Sequence, residues 1–353
     1  YTTIGGWMLA YFFKMAAGEF EGLDTDGVSA VFADISTDLP TMVFWMAVIV
    51  LIGFLVCSFG LQSGVEKISK FMMIILLLLM IALAVNSCLL PGASDGLKFY
   101  LLPDFEKLTA YNLSEVVFAA MGQSFFTLSL GIGALAIFGS YIGKERRLTG
   151  EAVNIVVLDT CVALISGLII FPACFAFDIN PGEGPGLVFV TLPNVFNEMP
   201  LGRLWGSLFF LFMTFAAVTT IIAVFQNIIS FAQDLWGWSV KKAVLVNGIA
   251  IFLLSLPAIF GNTIWSSFTI LGKGIMDFED FLVSNNILPL GSLVYLLFCV
   301  TRYGWGWDNF IKEANTGEGL RFPKKIRVYL TFILPIVVLY IFLQGYWTLI
   351  QSL

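Results

Sequence analysis

Histidine is absent from all 353 residues of this sequence. Its absence excludes imidazole metal sites, histidine general bases and the Ser-His-Asp arrangement of serine hydrolases. No other grouping of residues suggests bond-making chemistry. The sequence therefore does not point to an enzyme.

Charged residues are also scarce, at 12% of the chain, whereas a soluble domain carries about 25%. Apolar residues make up 59%, more than one soluble core can hide beneath a polar surface. Apolar runs near the roughly 20 residues that cross a bilayer recur along the whole length. The composition predicts an all-α integral membrane protein with the lipid bilayer as its partner, and nothing predicts a nucleic-acid partner.

The five cysteines show no CxxC spacing, and all of them fall inside apolar stretches. This placement is typical of small buried hydrophobes rather than of redox or metal-binding thiols. They are Cys57, Cys88, Cys161, Cys174 and Cys299.

Nine apolar segments are predicted to be membrane-spanning helices. They lie at roughly 1–17, 41–60, 64–90, 113–142, 149–178, 202–235, 240–260, 276–303 and 326–351. Residues 178–202 are too rich in Gly and Pro to span, which predicts a long loop with one or two short surface helices. The chain begins with Tyr1 inside an apolar segment, so we expect natural sequence to precede it.

Lysine and arginine are distributed unevenly between the two sets of loops. Of the 18 basic residues, 13 fall in the loops that follow the second, fourth, sixth and eighth spans or lie next to them. Because cytoplasmic loops carry the excess of Lys and Arg, that side is predicted to be cytoplasmic. The first span then runs outward and the C-terminus lies outside.

The fourth span has Gly131 and Gly133 at its centre, beside Thr127 and Ser129. Glycine is costly in a helix, so the pair predicts a break. A break at mid-membrane frees backbone polar groups, and many transporters build their sites from such half-helix ends. The alternative is close packing of helices through small residues.

The sixth span carries Thr219 and Thr220 one turn after Ala216. Two hydroxyls and a carbonyl on neighbouring turns offer oxygen ligands to a hard cation such as sodium. The alternative is that both hydroxyls bond to their own helix.

Two acidic features stand out. Asp159 lies deep within the fifth span, where a carboxylate normally faces a cavity, an ion or a partner; the alternative is a position nearer the interface. Asp277, Glu279 and Asp280 cluster at the outer end of the eighth span, where complementing the helix dipole is the alternative.

With these residues assembled, the chain resembles the neurotransmitter:sodium symporter family, which has the leucine-transporter fold. The segment QSFFTLSLGIG (123–133) resembles the family's unwound sixth helix, and FAAVTTIIAVFQ (215–226) its eighth. DFEDFLVSN (277–285) resembles the outer end of the tenth helix, and DGLKFYLLPDFEKL (95–108) the loop before the sixth. The resemblance extends over essentially the whole chain.

The resemblance implies one transmembrane transporter domain over 1–353 of the eleven-helix bacterial type. Residues 1–90 are then a remnant of the first repeat, 113–303 the complete second inverted repeat, and 326–351 an additional C-terminal helix. The family's first helix, its second and the start of its third are expected to lie outside this sequence.

The resemblance also implies the roles of individual residues. The substrate-binding residues are Tyr1, Phe126, Thr127, Ser129, Leu130, Gly131, Ile132, Ile221 and Val224. The sodium ligands are Thr127 and Asp159 at a first site, and the Ala216 carbonyl, Thr219 and Thr220 at a second. Phe126 and Asp280 belong to the outer gate, and Gln123, Asp159 and Ala163 to the region where some family members hold chloride. Since Asp159 already supplies a negative charge there, chloride is not expected to be required.

The function that the resemblance implies is sodium-coupled symport of an amino acid by alternating access, across the cell inner membrane. Because Ile132, Ile221 and Val224 are apolar, a hydrophobic or aromatic amino acid is the expected substrate. Two alternatives remain open, namely a membrane amino-acid sensor that does not transport, and an inactive fragment.

Overall fold

The computed structural model describes residues 1–60, 66–105, 113–140, 142–179, 181 and 184–352. Within these ranges the chain is helical, and β-pairing is confined to isolated bridges such as that between Arg146 and Glu318. Some predicted features lie outside the described residues: the start of the third span at 64–65, the motif residues 106–108 with Lys107, residue 141, and residues 180, 182 and 183 of the predicted loop.

The α-helices in chain order are α1 Thr2–Ala17, α2 Thr25–Thr37, α3 Leu39–Ser58, α4 Lys67–Cys88, α5 Ala93–Leu101, α6 Leu113–Thr127, α7 Ala134–Ser140, α8 Leu148–Ala176, α9 Leu192–Glu198, α10 Gly202–Trp236, α11 Val240–Asn262, α12 Ile275–Leu282, α13 Leu288–Val300, α14 Trp307–Ala314 and α15 Leu334–Ser352. Single π-helical turns precede α9 at Leu187–Thr191, join α12 to α13 at Val283–Ile287, and precede α15 at Tyr329–Ile333.

Seven helical segments among the described residues are long and apolar enough to cross a membrane. They correspond to seven of the nine predicted spans. The first predicted span forms α1, which has 16 residues. The fourth is divided between α6 and α7, as the Gly131 and Gly133 pair predicts.

Three short helices were not predicted, namely α2, α5 and α14. Each has between 8 and 13 residues, too few to produce the long apolar run that identified the spans. The predicted loop at 178–202 does contain a short helical segment, formed by Leu187–Thr191 and α9.

Local sequence signals explain several helix ends. Asp24 caps α2 by accepting a hydrogen bond from the Gly27 backbone N–H at 2.8 Å. Asp38 caps α3 in the same way, accepting from the N–H of Thr41 at 3.0 Å. Such caps satisfy backbone donors that the first turn of a helix leaves free.

The chain divides into two compact units, of which the first comprises Tyr1–Pro103, Ala163–Phe268 and Gly274–Met276. Its centre is α10, which packs against α1, α3 and α4. An aromatic cluster fills the contact of α1 with α10: Tyr11 lies against Phe20, Phe189 and Phe210, with ring centroids 4.9–5.2 Å apart. The buried Tyr11 hydroxyl donates to the Phe189 carbonyl at 2.9 Å, so its polar atom is satisfied.

The second unit comprises Asp104–Val162, Thr269–Lys273 and Asp277–Leu353. Its apolar core contains Phe125, Leu288, Val338 and Ile341, contributed by α6, α13 and α15. A smaller cluster of Val300, Trp307 and Ile311 holds α14 against the end of α13.

Candidate functional site

The break between α6 and α7 is built from unusual backbone conformations. Ser129, Gly131 and Gly133 have φ angles of 49°, 87° and 92°. The left-handed region suits glycine but is costly for serine, and strain of this kind is often found at functional sites. The segment is retained by local bonds, since the N–H of Leu130 still donates to the Phe125 carbonyl at 3.0 Å.

Gly131 allows the unwound segment to lie directly on the first turn of α13. A Cβ at this position would collide with the carbonyl oxygen of Leu288 and lie 2.7 Å from the backbone nitrogen of Ser292. The contact is reciprocal, because a Cβ on Gly291 would lie 2.5 Å from the carbonyl oxygen of Gly131. Only glycine fits here, for steric reasons and because of its φ angle.

A cavity of about 300 Å³ lies beside the unwound segment within the second unit. Its lining residues include Ser129, Leu130, Gly131, Ser292 and Tyr295. The broken helix thus places backbone polar groups and small side chains against open space, which is where an unwound segment is tolerated in a membrane. Ser292 and Tyr295 were not predicted as site residues. The sequence feature that could have indicated them is a pair of hydroxyl-bearing side chains one turn apart in an apolar helix.

Thr127 and Asp159 come together in the second unit. The Thr127 hydroxyl, on the last residue of α6, donates to Oδ1 of Asp159 at 2.8 Å. Asp159 is half-buried on α8, with an apolar sequence on both sides of it. A carboxylate and a hydroxyl are hard oxygen ligands of the kind that hard cations prefer. The two predicted ligands of the first sodium site are therefore neighbours.

Gln123 and Ala163, the two other residues predicted for the anion-site region, lie on α6 and α8. Gln123 is exposed on α6, and no hydrogen bond joins it to Asp159 among the described side chains. Ala163 lies one turn further along α8, and its backbone carbonyl is 3.4 Å from the Tyr100 hydroxyl. The anion-site assignment of these residues stays a prediction.

In the first unit, α10 gathers the oxygens predicted for the second sodium site. The Thr219 and Thr220 hydroxyls both donate to the Ala216 carbonyl, at 3.0 and 3.2 Å. This is the bonding to their own helix that the alternative interpretation expected. It also brings three oxygens together while the hydroxyl lone pairs remain available, so the sodium assignment stays a prediction.

The other predicted substrate residues differ in their exposure. Tyr1 is 61% exposed, whereas Ile221 is 2% exposed. Its side chain lies against Gly5 of α1 and Gly53 of α3. Phe126, Ile132 and Val224 are half-buried. In this structure, therefore, Ile221 packs within the first unit rather than lining open space.

The predicted gate acid, Asp280, is exposed in the second turn of α12. It accepts a hydrogen bond from the Ser284 hydroxyl one turn later, at 3.1 Å. Asp277 lies in the first turn of the same helix, which agrees with the dipole alternative for that residue. The gate role of Asp280 remains a prediction.

A further polar contact escaped the sequence analysis. The π-helical turn Val283–Ile287 contains Asn286, whose Oδ1 accepts a hydrogen bond from the Tyr346 hydroxyl of α15 at 2.6 Å. Asn285 and Asn286 are adjacent polar residues in an apolar span. Like Asp159, they could have been recognised from the sequence as side chains that need a polar partner.

A multi-pass helical bundle with one spanning helix unwound beside paired oxygen ligands is typical of membrane transporters. Comparison with known proteins identifies the family of transporters. The model of the sodium:neurotransmitter symporter family matches residues 27–352. This chain belongs to that family.

Similar proteins agree with this assignment. The sequence is 35% identical over 346 residues to the sodium-dependent transporter YhdH of Bacillus subtilis, covering 98% of this chain and 75% of that protein. It is 33% identical over 354 residues to a sodium-dependent transporter of Haemophilus influenzae, with coverage of 98% and 75%.

Among solved structures, the crystal structure of MhsT in complex with L-phenylalanine matches with a TM-score of 0.85 and 35% identity. The match covers 98% of this chain and 77% of that one. The prediction of an all-α membrane protein with the leucine-transporter fold is confirmed.

Proposed function

We propose that this protein carries an amino acid with a hydrophobic or aromatic side chain across the membrane, driven by sodium. The observation that carries the proposal is the hydrogen bond between Thr127 and Asp159 at 2.8 Å, directly beside the unwound segment. Membership of a sodium symporter family and the likeness to a structure that holds L-phenylalanine support it.

The first sodium ion would be held by the Thr127 hydroxyl and the Asp159 carboxylate. The Ala216 carbonyl and the Thr219 and Thr220 hydroxyls would hold a second ion. A tenfold sodium gradient and a potential of 100 mV together supply roughly 3.7 kcal/mol per ion. Two ions then supply about 7 kcal/mol, enough for several decades of amino-acid accumulation.

The unwound segment would contribute backbone groups to the substrate. Residues 129–132 would contact the amino acid, with Phe126 as an aromatic lid and Ile132 and Val224 against an apolar side chain. Tyr1 and Ile221 complete the assigned set, with the Tyr1 hydroxyl directed to the substrate carboxylate. Alternating access would then expose the bound amino acid to each side of the membrane in turn.

The finer assignments are part of the same proposal. The protein would reside in the inner membrane with its basic loops in the cytoplasm and its C-terminus outside. Residues 113–303 would form the second inverted repeat, 1–90 part of the first, and 326–351 an additional helix. Asp280 would act in an outer gate, and chloride would not be required.

The test is uptake of labelled L-phenylalanine into proteoliposomes by the complete natural chain. Thr127→Val keeps the side-chain shape but removes the oxygen that faces Asp159. The matched control is Thr160→Val on α8, whose hydroxyl bonds to its own helix at the Val156 carbonyl, 2.8 Å away. We expect the sodium concentration for half-maximal uptake to rise about tenfold in Thr127→Val and to stay unchanged in the control.

Equal effects in the two variants would contradict the assignment of Thr127. Counterflow separates a transporter from a sensor, because a sensor binds the labelled amino acid without exchanging it for unlabelled amino acid inside the vesicle. Binding without counterflow by the natural chain would overturn the transport proposal.

A further inference from the structure

A groove rich in positive charge lies in the second unit, at the turn between the last two spanning segments. It encloses about 830 Å³. Four cationic side chains line it, with Asp308 as the one acid among the lining residues; the cations are Arg147, Lys312, Arg321 and Lys324. In a chain with a net charge of −6, so many cations around one groove need an explanation.

The cations of the groove lack partners of opposite charge. Within the described ranges, none of the four lies within salt-bridge distance of a carboxylate, although ion pairs such as Arg146 with Glu151 form elsewhere. Unpaired cations gathered in a concave site repel one another and raise the local concentration of anions. The groove is therefore arranged to receive an anion.

Part of the groove is held rigidly. Arg147 donates from Nε to the Asn315 carbonyl at 3.1 Å and from Nη1 to the Gly319 carbonyl at 2.5 Å. A guanidinium has five N–H donors in a planar fork, so three remain for a ligand. Because its position is already fixed, little conformational entropy is lost when Arg147 binds an anion.

The loop that carries Arg321 is closed by Asn315. The Asn315 side chain accepts from the N–H of Phe322 at 2.8 Å and donates to the Phe322 carbonyl at 3.3 Å. This clamp returns the chain to α14 and brings Arg321 and Lys324 to the same groove as Lys312.

The position of the groove along the chain indicates its environment. One candidate span ends at Val300 and the next begins at Lys324, so the groove lies where the chain leaves and re-enters the membrane. Trp307 also lines it, on an apolar base with Ile311. Tryptophan beside Lys and Arg at the ends of spanning helices is typical of the headgroup layer.

We propose that this groove binds the phosphate group of an anionic phospholipid. A phosphodiester offers oxygens that match the donor fork of an arginine, and the membrane supplies such groups at the depth of the groove. Clusters of Lys and Arg next to spanning helices attract anionic lipids by the same electrostatics. Nothing in the proposed transport cycle uses these residues, so the groove is a separate site.

The test compares two pairs of exposed basic residues in the complete natural chain. The groove variant is Arg321→Gln with Lys324→Gln. The control is Lys241→Gln with Lys242→Gln, which removes the same charge next to another aromatic side chain, since Lys242 lies 4.8 Å from the ring centroid of Trp238. All four positions are exposed, and equal melting temperatures in detergent will verify that the folds match.

The readout is retention of phosphatidylglycerol in native mass spectra, titrated against phosphatidylcholine with the same acyl chains. We expect wild type to bind phosphatidylglycerol in preference to phosphatidylcholine. The groove variant should bind phosphatidylglycerol about tenfold more weakly than wild type, and the control should behave as wild type. Equal weakening in both variants, or no preference in wild type, would overturn the proposal. If millimolar inorganic phosphate displaces the lipid, and the acyl chains add nothing to the affinity, the groove binds soluble phosphate. That result would overturn the proposal that the ligand is a phospholipid.

Discussion

The two predicted sodium sites present their oxygens in different ways. The fourth span separates into α6 and α7, and Thr127 at the break contacts Asp159 on another helix. In contrast, α10 runs unbroken for 35 residues, and its Thr219 and Thr220 hydroxyls bond to a carbonyl of the same helix. The first predicted site depends on a break in the helix, whereas the second uses oxygens presented by one continuous helix.

This difference has consequences for substitution. A broken helix needs residues that tolerate the left-handed region and close backbone contact, so a single added methyl group should damage it. A continuous helix accepts conservative changes without losing its fold, so only ion binding should respond. Substitutions at the helix break should therefore have larger effects than substitutions in the continuous helix.

Replacing Gly131 by Ala should abolish transport. The new Cβ would meet the Leu288 carbonyl oxygen, and a left-handed alanine adds about 1–3 kcal/mol of strain. Gly122→Ala in α6 is the matched control, because a Cβ at Gly122 has nothing within 4 Å. Uptake in proteoliposomes and thermal stability in detergent are the measurements, and full activity of Gly131→Ala would contradict the steric argument.

Asp159→Asn should weaken sodium binding strongly, because a charged oxygen ligand becomes neutral. Interactions of charged groups are worth about 1.5–3 kcal/mol, so the half-saturating sodium concentration should rise about ten- to a hundredfold. It can be measured by uptake and, independently of transport, by the increase in melting temperature that sodium causes. The control is Asp178→Asn, which changes an exposed acid just beyond the end of the same helix. If Asp178→Asn weakens sodium binding as much as Asp159→Asn does, Asp159 is not a sodium ligand.

The double substitution Thr219→Val with Thr220→Val should have a smaller effect, since two neutral ligands are lost. We expect the half-saturating sodium concentration to rise about three- to tenfold, with little change in stability. Thr214→Val serves as control, because the Thr214 hydroxyl also bonds to its own helix, at the Phe210 carbonyl 2.7 Å away. Identical sodium dependence in both variants would mean that Thr219 and Thr220 serve only α10.

The smallest expected effect concerns chloride. Replacing chloride by gluconate should leave wild-type uptake nearly unchanged, because in the proposed site the Asp159 carboxylate would supply the negative charge beside the sodium ion. Asp159→Asn combined with Ala163→Ser should create chloride dependence, because the pocket would then be neutral and would contain a hydroxyl group. Strong chloride dependence of the wild type would refute this account, and Ala163→Ser alone should behave as wild type.

Much of this architecture is encoded in local patterns. The apolar runs located the spans, and the Gly131 and Gly133 pair located the break, because glycine is costly in a helix regardless of its surroundings. Asp159 stood out since a carboxylate in an apolar run requires a partner. These signals depend on composition and spacing, which a sequence displays directly.

Only the tertiary structure decided which residues meet. That Thr127 bonds Asp159, that Gly131 lies against Leu288, and that Arg147 reaches the 315–322 loop are contacts over 32 to 172 positions of sequence. The sequence also could not show that Ile221 is enclosed by α1 and α3. Such contacts depend on how helices pack, and packing is set by the combined shape of many side chains rather than by any local pattern.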